Sequence, residues 1–466
     1  MAIGKRNTPK QQKLWVATSD LAPRSGHPFY SKLNSLLDED TFDAWLEQEC
    51  APYFAAGGRP SIPPGVYFRM LFVGYLEGFQ SERSIAWHCA DRMSLRDFLG
   101  YLPHERTPDH SSLTIWRQRL PLDFYRTVFQ RILGLVHRHG LVDAYAAGVD
   151  SSTIEANASL RRLARKDSGA SYREYVKELM REAGEDPADA AAVVRFDKKR
   201  KKKSLSNKEW QSETDPDARI AKMKNGTTHL AYKPEHAVDL TTGAMLLGVT
   251  VYPADQGDTA CVKDTLDIVA ENLATLGDEA PELLCVVTDK GYHQSELIKE
   301  INIDQEITTY IPERETKQRR RWHGDVEACR EFHANRRRTR GNEGKRLGRL
   351  RAELVERSFA LSKCSGNLGR MTIRGLENVA KRYLIHAATY NLGLVMRALF
   401  GHGTPKGMAD ALRGLFIQIF ALLIAFFAPK TPANRLQQVD SIFSPDLVWL
   451  PPFSGGRNQW LICSVK

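Results

Sequence analysis

Three acidic residues stand at positions from which a folded chain can bring them together. Asp150 and Asp289 each end an apolar run of strand length, and Glu356 lies among arginines in a stretch with helical spacing. Side chains at the ends of neighbouring strands converge on one edge of a sheet, where a packed helix can add a third acid. Three such carboxylates suit two magnesium ions about 3.5–4 Å apart, which stabilise the attacking and departing oxygens of a phosphodiester.

Each aspartate also has a purely structural interpretation. An aspartate directly after a strand commonly caps a turn, so neither Asp150 nor Asp289 indicates catalysis when taken alone. The hypothesis of a metal site therefore depends on whether the fold gathers the acids at one place.

The net charge of +10 is concentrated in two segments of the 466-residue chain. Residues 198–203 are six consecutive basic residues, and residues 314–351 contain 14 Lys and Arg against 5 Asp and Glu, so the rest of the chain carries a net charge of −5. A solvated charged face usually alternates in sign, and neither segment does. The two segments predict contact with nucleic acid, with steep salt dependence and little sequence discrimination.

Cysteine and apolar patterns restrict the class of protein. The seven cysteines are scattered without a C-x-x-C pair, which argues against a zinc ribbon and a disulfide framework and predicts a reducing cytoplasm. The most hydrophobic window, residues 414–428, contains Gln418 and is shorter than the roughly 18 apolar residues of a spanning helix. A buried or interface helix is predicted there, and no membrane partner.

The first 140 residues have helical spacing and predict a helical N-terminal domain, for which DNA binding is a hypothesis. Its short helices joined by tight turns are compatible with a helix-turn-helix, although most such clusters are only packed bundles. Helices are predicted at residues 42–46, 66–76, 84–92, 94–99, 111–120 and 125–136.

Strand patterns begin near Asp150 and predict a mixed α/β sheet within residues 141–400. Residues 159–225 are interpreted as an insertion, helical and then flexible, with strand signals returning only near Thr228. No function is predicted for the tail, residues 401–466. Further strands are predicted at 229–239, 244–252, 283–288 and 307–311, and helices at 258–276, 295–300, 346–363 and 376–399.

Seven sequence strings, taken in their order, resemble the DDE transposases of bacterial insertion sequences, which have an RNase H-like catalytic core. The resemblance extends from about Phe29 to Leu399, and the helical N-terminal part is similar to the N-terminal domain of that family. It implies a mixed-sheet RNase H-like α/β core with a helical N-terminal domain and a helical, basic insertion. The strings are GVDSSTIEAN (148–157), KKRKKK (198–203), THLAYKPEHAVD (228–239), ADQGDT (254–259), DKGY (289–292), ANRRR (334–338) and VERSF (355–359).

The resemblance implies that Asp150, Asp289 and Glu356 are the catalytic acids and the ligands of Mg²⁺, for which Mn²⁺ would substitute. Glu353 lies three residues earlier on nearly the same helical face and is the competing acid. Glu356 is favoured because it stands in the matched string. Lys363, seven residues after Glu356, occupies the position of a family lysine that contacts the DNA backbone.

The chain departs from the family pattern before the glutamate. The pattern has Tyr seven residues and Arg four residues before it, and this chain has Arg349 and Ala352 there, with Arg351 one position off. The flanking contacts of the family are therefore not carried over to this chain.

Other residues acquire roles from the same resemblance or from their charge. Asp255 and Asp258 match a recurrent family string outside the catalytic triad and are interpreted as structural support at the site entrance. Trp322 is a candidate for stacking on an unpaired base, with simple packing as the alternative. DNA contacts are predicted for Lys198, Lys199, Arg200, Lys201, Lys202, Lys203, Lys290, Arg336, Arg337, Arg338 and Lys363.

The resemblance implies cleavage at the terminal repeats of a mobile element and attack of the exposed 3′-hydroxyl on target DNA. Double-stranded DNA is the expected partner. A homodimer on DNA is expected because two ends must be brought together. The expected location is the cytoplasm, in association with the nucleoid. A metal-dependent RNase H-like nuclease that cleaves without joining is one alternative. A non-catalytic DNA-binding protein derived from a transposase is another, and its signature would be the loss of an acid.

Overall fold

A computed structural model describes residues 26–427, apart from residues 56, 59, 201–204, 224, 279, 316–321 and 323, with side chains described as far as residue 421. The described residues up to Met408 form one compact unit, and those from Ala409 to Phe427 belong to a second.

The described part of the chain before the first strand is helical. It contains α1 (Pro28–Glu39), α2 (Phe42–Cys50), α3 (Pro64–Leu76), α4 (Glu82–Asp91), α5 (Met93–Phe98), α6 (His110–Arg119) and α7 (Leu122–Arg138). Proline begins α1 and α3, where the absent N–H costs no hydrogen bond. The helices predicted in this region are confirmed. The prediction missed α1, although Phe29, Leu33 and Leu37 give it a buried stripe at helical spacing.

The strands form a mixed sheet whose central members are β1, β6 and β8. Counting only the described residues, the strands are β1 (Ala146–Ser151), β2 (Ile154–Glu155), β3 (Leu163–Arg165), β4 (Trp210–Ser212), β5 (Arg219–Lys222), β6 (Thr228–Asp239), β7 (Leu246–Pro253), β8 (Cys285–Val287) and β9 (Thr308–Tyr310). The order across the main sheet is β7-β6-β1-β8-β9, with β2 and β5 also paired to β6. The pairs β7-β6 and β6-β1 are antiparallel, and β1, β8 and β9 are parallel. This mixed sheet confirms the predicted RNase H-like α/β fold class.

Helices cover both faces of the sheet. After β7 the chain forms α10 (Asp258–Ala274), α11 (Ser295–Ile303), α12 (Val326–Arg340), α13 (Asn342–Cys364) and α14 (Leu376–Phe400). Glu235 of β6 contacts Thr265 of α10, and the next residue, His236, contacts Ser358 of α13. Because successive side chains of a strand point to opposite faces, α10 and α13 lie on opposite faces of the sheet.

The insertion predicted at residues 159–225 contains more regular structure than expected. It holds α8 (Tyr172–Glu182) and α9 (Ala190–Lys199), and Trp210 of β4 packs edge-on against two tyrosines of α8. The prediction that strands return only near Thr228 was wrong, because β4 pairs with β3 and β5 pairs with β6. Strands of three or four residues are too short for alternation to be recognised in the sequence.

The long helix α14 joins the N-terminal helices to the sheet. It packs against α3 and α7 and also against β7. Asn391, which is fully buried, accepts a hydrogen bond from the backbone N–H of Leu246 and donates one to the carbonyl of the same residue, both at 2.9 Å. An amide side chain thus satisfies both backbone groups at the outer edge of β7.

The predicted apolar helix is present as part of α15 (Pro405–Phe427). The side chains of Leu415, Phe416 and Phe420 are exposed, so the buried alternative is wrong for them, and an interface stays a prediction. In the described part of the chain, no helix has the length and apolar character needed to cross a membrane.

The first prediction concerns Asn391. Asn391→Ala should lower the free energy of unfolding by about 2–4 kcal/mol, because two buried backbone groups of Leu246 lose their partners. The control is Asn378, near the start of α14, whose side chain donates an exposed hydrogen bond to the carbonyl of Arg374. Asn378→Ala should change the free energy of unfolding by less than about 1 kcal/mol. Chemical denaturation of both variants measures the difference, and equal losses would contradict the edge-pairing role.

Candidate active site

The two aspartates lie at the same edge of the sheet, as predicted. The parallel strands β1 and β8 pair with Gly148 opposite Val287, and each aspartate stands two residues further along its own chain. Both aspartates are partly buried. The register of this one strand pair therefore makes neighbours of two acids that are far apart in the sequence.

Asp150 forms an ion pair with an arginine side chain. Its Oδ2 lies 2.6 Å from Nη2 of Arg351 on α13, and its Oδ1 accepts a hydrogen bond from the N–H of Ser151 at 2.8 Å. The Asp150 and Arg351 side chains are 21% and 12% exposed. The guanidinium therefore balances a partly buried carboxylate at the strand end, in the place where a bound cation would also be stabilised.

Asp289 caps the turn that follows β8. Its Oδ1 accepts a hydrogen bond from the N–H of Gly291 at 2.7 Å, and Arg314 donates to the carbonyl of Lys290 at 2.8 Å. The turn ends in Tyr292, which is fully buried. The capping interpretation is therefore correct for Asp289, and the cap holds the carboxylate at the sheet edge.

Close packing holds α13 against β1. A Cβ placed on Gly148 would lie 2.9 Å from Cγ2 of Val355, so only glycine lets the helix approach this closely. His236, which is paired in register with Asp150, stacks on the Phe359 ring at 3.9 Å and shares a hydrogen bond with Ser358. These contacts determine which helical face is turned toward the strand ends.

Glu356 lies on another face of α13. It follows Val355, so its side chain is rotated by about 100° from the residue that packs on Gly148, and it is exposed. Lys363 stands two turns later on nearly the same face, and its Nζ donates to Oγ of Ser152 at 2.6 Å. The helical face that carries Glu356 is therefore also the face from which the Lys363 side chain reaches the residue after β1. Glu353 is partly buried.

The structure brings two of the three predicted acids together. Within the described ranges, no group of three or more His, Cys, Asp or Glu side chains is placed to hold a metal ion. The role of Glu356 as a third ligand therefore stays a prediction. The two aspartates nevertheless fit magnesium, since this ion takes one or two protein carboxylates and completes its shell with water and substrate oxygens.

Two charged residues on the α10 face of the sheet, Lys233 and Glu235, were not recognised from the sequence as neighbours of the site. Lys233 and Glu235 of β6 are buried, and Lys233 Nζ lies 2.5 Å from Oδ1 of Asp258. The same Asp258 oxygen accepts a hydrogen bond from Ser151 Oγ at 2.8 Å. The available signal was a long strand, β6, that contains a lysine and a glutamate two residues apart and hence on the same face.

Burial raises the pKa of Glu235 to about 7, although hydrogen bonds to its carboxylate oppose that rise. Tyr292 OH donates to Oε1 at 2.7 Å, and Thr265 Oγ1 donates to Oε2 at 2.5 Å. Glu235 therefore ties the turn after Asp289 to α10, and it gives this part of the core a carboxyl group that titrates near neutrality.

The basic cluster of the insertion is only partly described. Lys198 and Lys199 are exposed at the end of α9. Arg200 lies 3.0 Å from Asp197 and donates to Tyr172 OH at 3.1 Å. Lys201, Lys202 and Lys203 lie outside the described residues.

The predicted contacts from the second basic segment differ in accessibility. Arg336 pairs with Glu313 at 2.7 Å, and the Arg338 guanidinium donates to the Thr309 carbonyl at 3.1 Å, whereas Arg337 is exposed. Lys290, from the turn after β8, is also exposed. Trp322 is partly buried and packs edge-on against Phe332, with ring centroids 5.2 Å apart. Their roles toward DNA stay predictions.

An RNase H-like sheet with aspartates at the ends of two parallel strands is the architecture of an enzyme class that processes nucleic acids. Two family models place the chain within it: "Transposase domain (DUF772)" matches residues 17–119, and "Transposase DDE domain" matches residues 191–392. The chain belongs to the DDE transposases. Asp289 and Glu356 lie inside the second match, and Asp150 lies between the two. Comparison with curated proteins and with solved structures gave no match.

The second prediction concerns the pH dependence of stability. The pKa of Glu235 is raised from 4.5 to about 7, so its contribution to folding is complete below about pH 4.5 and is lost as the pH rises through about 7. The free energy of unfolding of the wild-type protein should fall by about 3 kcal/mol between pH 4.5 and 8, at about 1.4 kcal/mol for each pKa unit. Glu235→Gln stays neutral and should not show this fall.

Denaturant titrations at several pH values measure this effect. Glu271→Gln, at an exposed position of α10, is the matched control and should leave the pH profile unchanged. A wild-type profile in Glu235→Gln would show that this carboxyl group does not titrate as stated.

Proposed function

We propose that the protein is an active transposase that cleaves DNA at the ends of a mobile element and joins the exposed 3′-hydroxyl to target DNA. The observation that carries the proposal is the pair Asp150 and Asp289 at the ends of adjacent parallel strands, in a chain of the DDE transposase family. Mobile-element ends and target DNA are the substrates in this proposal. The protein acts as a homodimer on DNA, because two ends must be held together. It acts in the cytoplasm, at the nucleoid.

Asp150, Asp289 and Glu356 supply the carboxylate ligands of a divalent cation, Mg²⁺ or Mn²⁺. When bound, the cation supplies Lewis acidity toward phosphate oxygens and favours the deprotonated form of the attacking oxygen. Arg351 balances the charge of Asp150, and a cation held by the acids would supply positive charge at the same place. Lys363, beside Ser152, provides a positive charge near the strand ends for a DNA phosphate.

The DNA is held by basic side chains that are exposed in the structure. The exposed Lys290 and Arg337, with Lys198 and Lys199 of the insertion, contact the backbone without regard to sequence. Sequence discrimination comes from the N-terminal helices, because reading base edges requires an element placed in a groove. Arg336 and Arg338 act mainly inside the protein, since each already has an intramolecular partner.

The third prediction tests the acids. Asp150→Asn, Asp289→Asn and Glu356→Gln should each reduce cleavage of labelled element ends at least about 100-fold, because a cation site contributes several kcal/mol to transition-state stabilisation. Binding of the same ends should be retained. Glu353→Gln is the neighbouring control for Glu356 and should retain cleavage. Unchanged cutting in an acid variant would remove that residue from the mechanism.

Joining is measured in the same reactions with a target duplex. Wild-type protein with Mg²⁺ should give both cleaved ends and strand-transfer product, and both should disappear together in the acid variants. Hydrolysis without any joined product would instead establish the metal-dependent nuclease. End binding without hydrolysis under all cation conditions would establish the non-catalytic DNA-binding protein.

The fourth prediction separates DNA contact from internal structure in α12. Arg337→Ala should weaken binding to all DNA sequences alike and reduce the salt slope of log K by about 1, with no change in unfolding. Arg338→Ala should instead lower the free energy of unfolding by about 1–3 kcal/mol, because the carbonyl and hydroxyl of the buried Thr309 lose their donor. Salt-dependent binding and denaturation of both variants provide the test, and matching profiles would refute the assignment.

A further inference from the structure

Lys233 and Asp258 form a charged pair on the α10 face of the sheet that the proposed chemistry does not use. The Lys233 side chain is 9% exposed, and its Nζ donates to the carbonyl of Gln256 at 2.8 Å and lies 2.5 Å from Asp258 Oδ1. A buried ammonium is costly unless it is paired and hydrogen-bonded. The pair therefore holds the Asp258 carboxylate in one place.

Asp258 contacts the strand end that carries Asp150. Its Oδ1 accepts a hydrogen bond from Oγ of Ser151, the residue that follows Asp150, at 2.8 Å. Successive strand residues point to opposite faces, so this bond anchors the strand end from the face opposite to Arg351. Asp150 is thereby held from both sides.

Asp258 also lies against the turn that carries Asp289. A Cβ placed on Gly291 would be 3.3 Å from Asp258 Oδ2 and 2.7 Å from Asp289 Oδ1, so these two oxygens are at most about 6 Å apart. Glycine at position 291 makes this approach possible. One carboxylate thus lies against both the end of β1 and the turn after β8, the two places that carry the paired acids.

We propose that Asp258, held by Lys233, is a positioning residue that sets the distance between the Asp150 and Asp289 carboxylates and thereby the cation affinity of the site. This inference rests on the proposed function, because it requires that the two aspartates bind a cation. It requires no contact between Asp258 and that cation. Residues that orient metal ligands typically change metal affinity about 10–100-fold when they are replaced.

Asp255, in the turn that precedes α10, provides a matched control. It lies three residues before Asp258, its side chain is 40% exposed, and its Oδ2 is 3.6 Å from Arg219 Nε. This ion pair is with β5, whereas Asp258 contacts the end of β1 and the turn after β8. Any general effect of removing an acid near the start of α10 should therefore be seen equally in Asp255→Asn.

The experiment measures Mn²⁺ binding to the full-length protein by calorimetry, at a temperature well below the unfolding midpoint of every variant. Asp258→Asn should weaken Mn²⁺ binding about 10–100-fold, and Asp255→Asn should stay within about twofold of wild type. Cleavage by Asp258→Asn should recover as Mn²⁺ is raised, whereas cleavage by Asp150→Asn should not. Equal Mn²⁺ affinity in Asp258→Asn and Asp255→Asn would overturn the inference.

The double variant Lys233→Met/Asp258→Asn covers the case in which the single variant fails to fold. Of this pair only Lys233 is buried, and replacing both members leaves no buried charge unpaired, a change that is often neutral for stability. Weak Mn²⁺ binding in the folded double variant supports positioning by Asp258. Wild-type binding there would show that the pair contributes only to stability, which overturns the inference.

The same titrations distinguish this inference from the proposed function. If Asp150→Asn binds Mn²⁺ as wild type does, the cation site itself is wrong and both conclusions fail. If Asp150→Asn loses binding while Asp258→Asn retains it, the proposed function stands and the positioning role alone is refuted.

Discussion

The parallel pairing of β1 with β8 is the constraint on which the site depends. Because Gly148 lies opposite Val287, Asp150 and Asp289 emerge at the same level from adjacent strands. A shift of one residue in this register would turn one aspartate to the other face of the sheet, since side chains alternate along a strand. The antiparallel pairing of β1 with β6 on its other side restrains β1 against such a shift.

Bringing carboxylates together costs electrostatic energy, and the fold compensates each with a different partner. Arg351 pairs with Asp150, Lys233 pairs with Asp258, and the backbone N–H of Gly291 bonds to Asp289. Like charges at short range disfavour ionisation, and nearby cations or donors restore it. These partners come from α13, from β6 and from the turn after β8, so the acids are stabilised from three directions.

The main features of the site were predictable because they produce local signals. An apolar run ending in aspartate marks a buried strand whose end is exposed to a polar edge, and both such runs became β1 and β8. The short strands β4 and β5 gave no comparable signal. The predicted DNA contacts show another limit: charge runs identify cations but not their partners. Arg337 is exposed, while Arg336 and Arg338 next to it bond to Glu313 and Thr309.

The sequence by itself determined the fold class, the position of the two aspartates at the ends of strands and the location of the basic segments. Periodicity, residue type and charge are properties of short stretches and can be read without the fold. The tertiary structure alone decided which of these residues meet. It placed Arg351 on Asp150 and Asp258 between the end of β1 and the turn after β8, and it left Glu356 on an exposed face of α13. The reason is physical: strand register and helix rotation are set by packing between distant segments, such as Val355 on Gly148, and no local pattern encodes that contact.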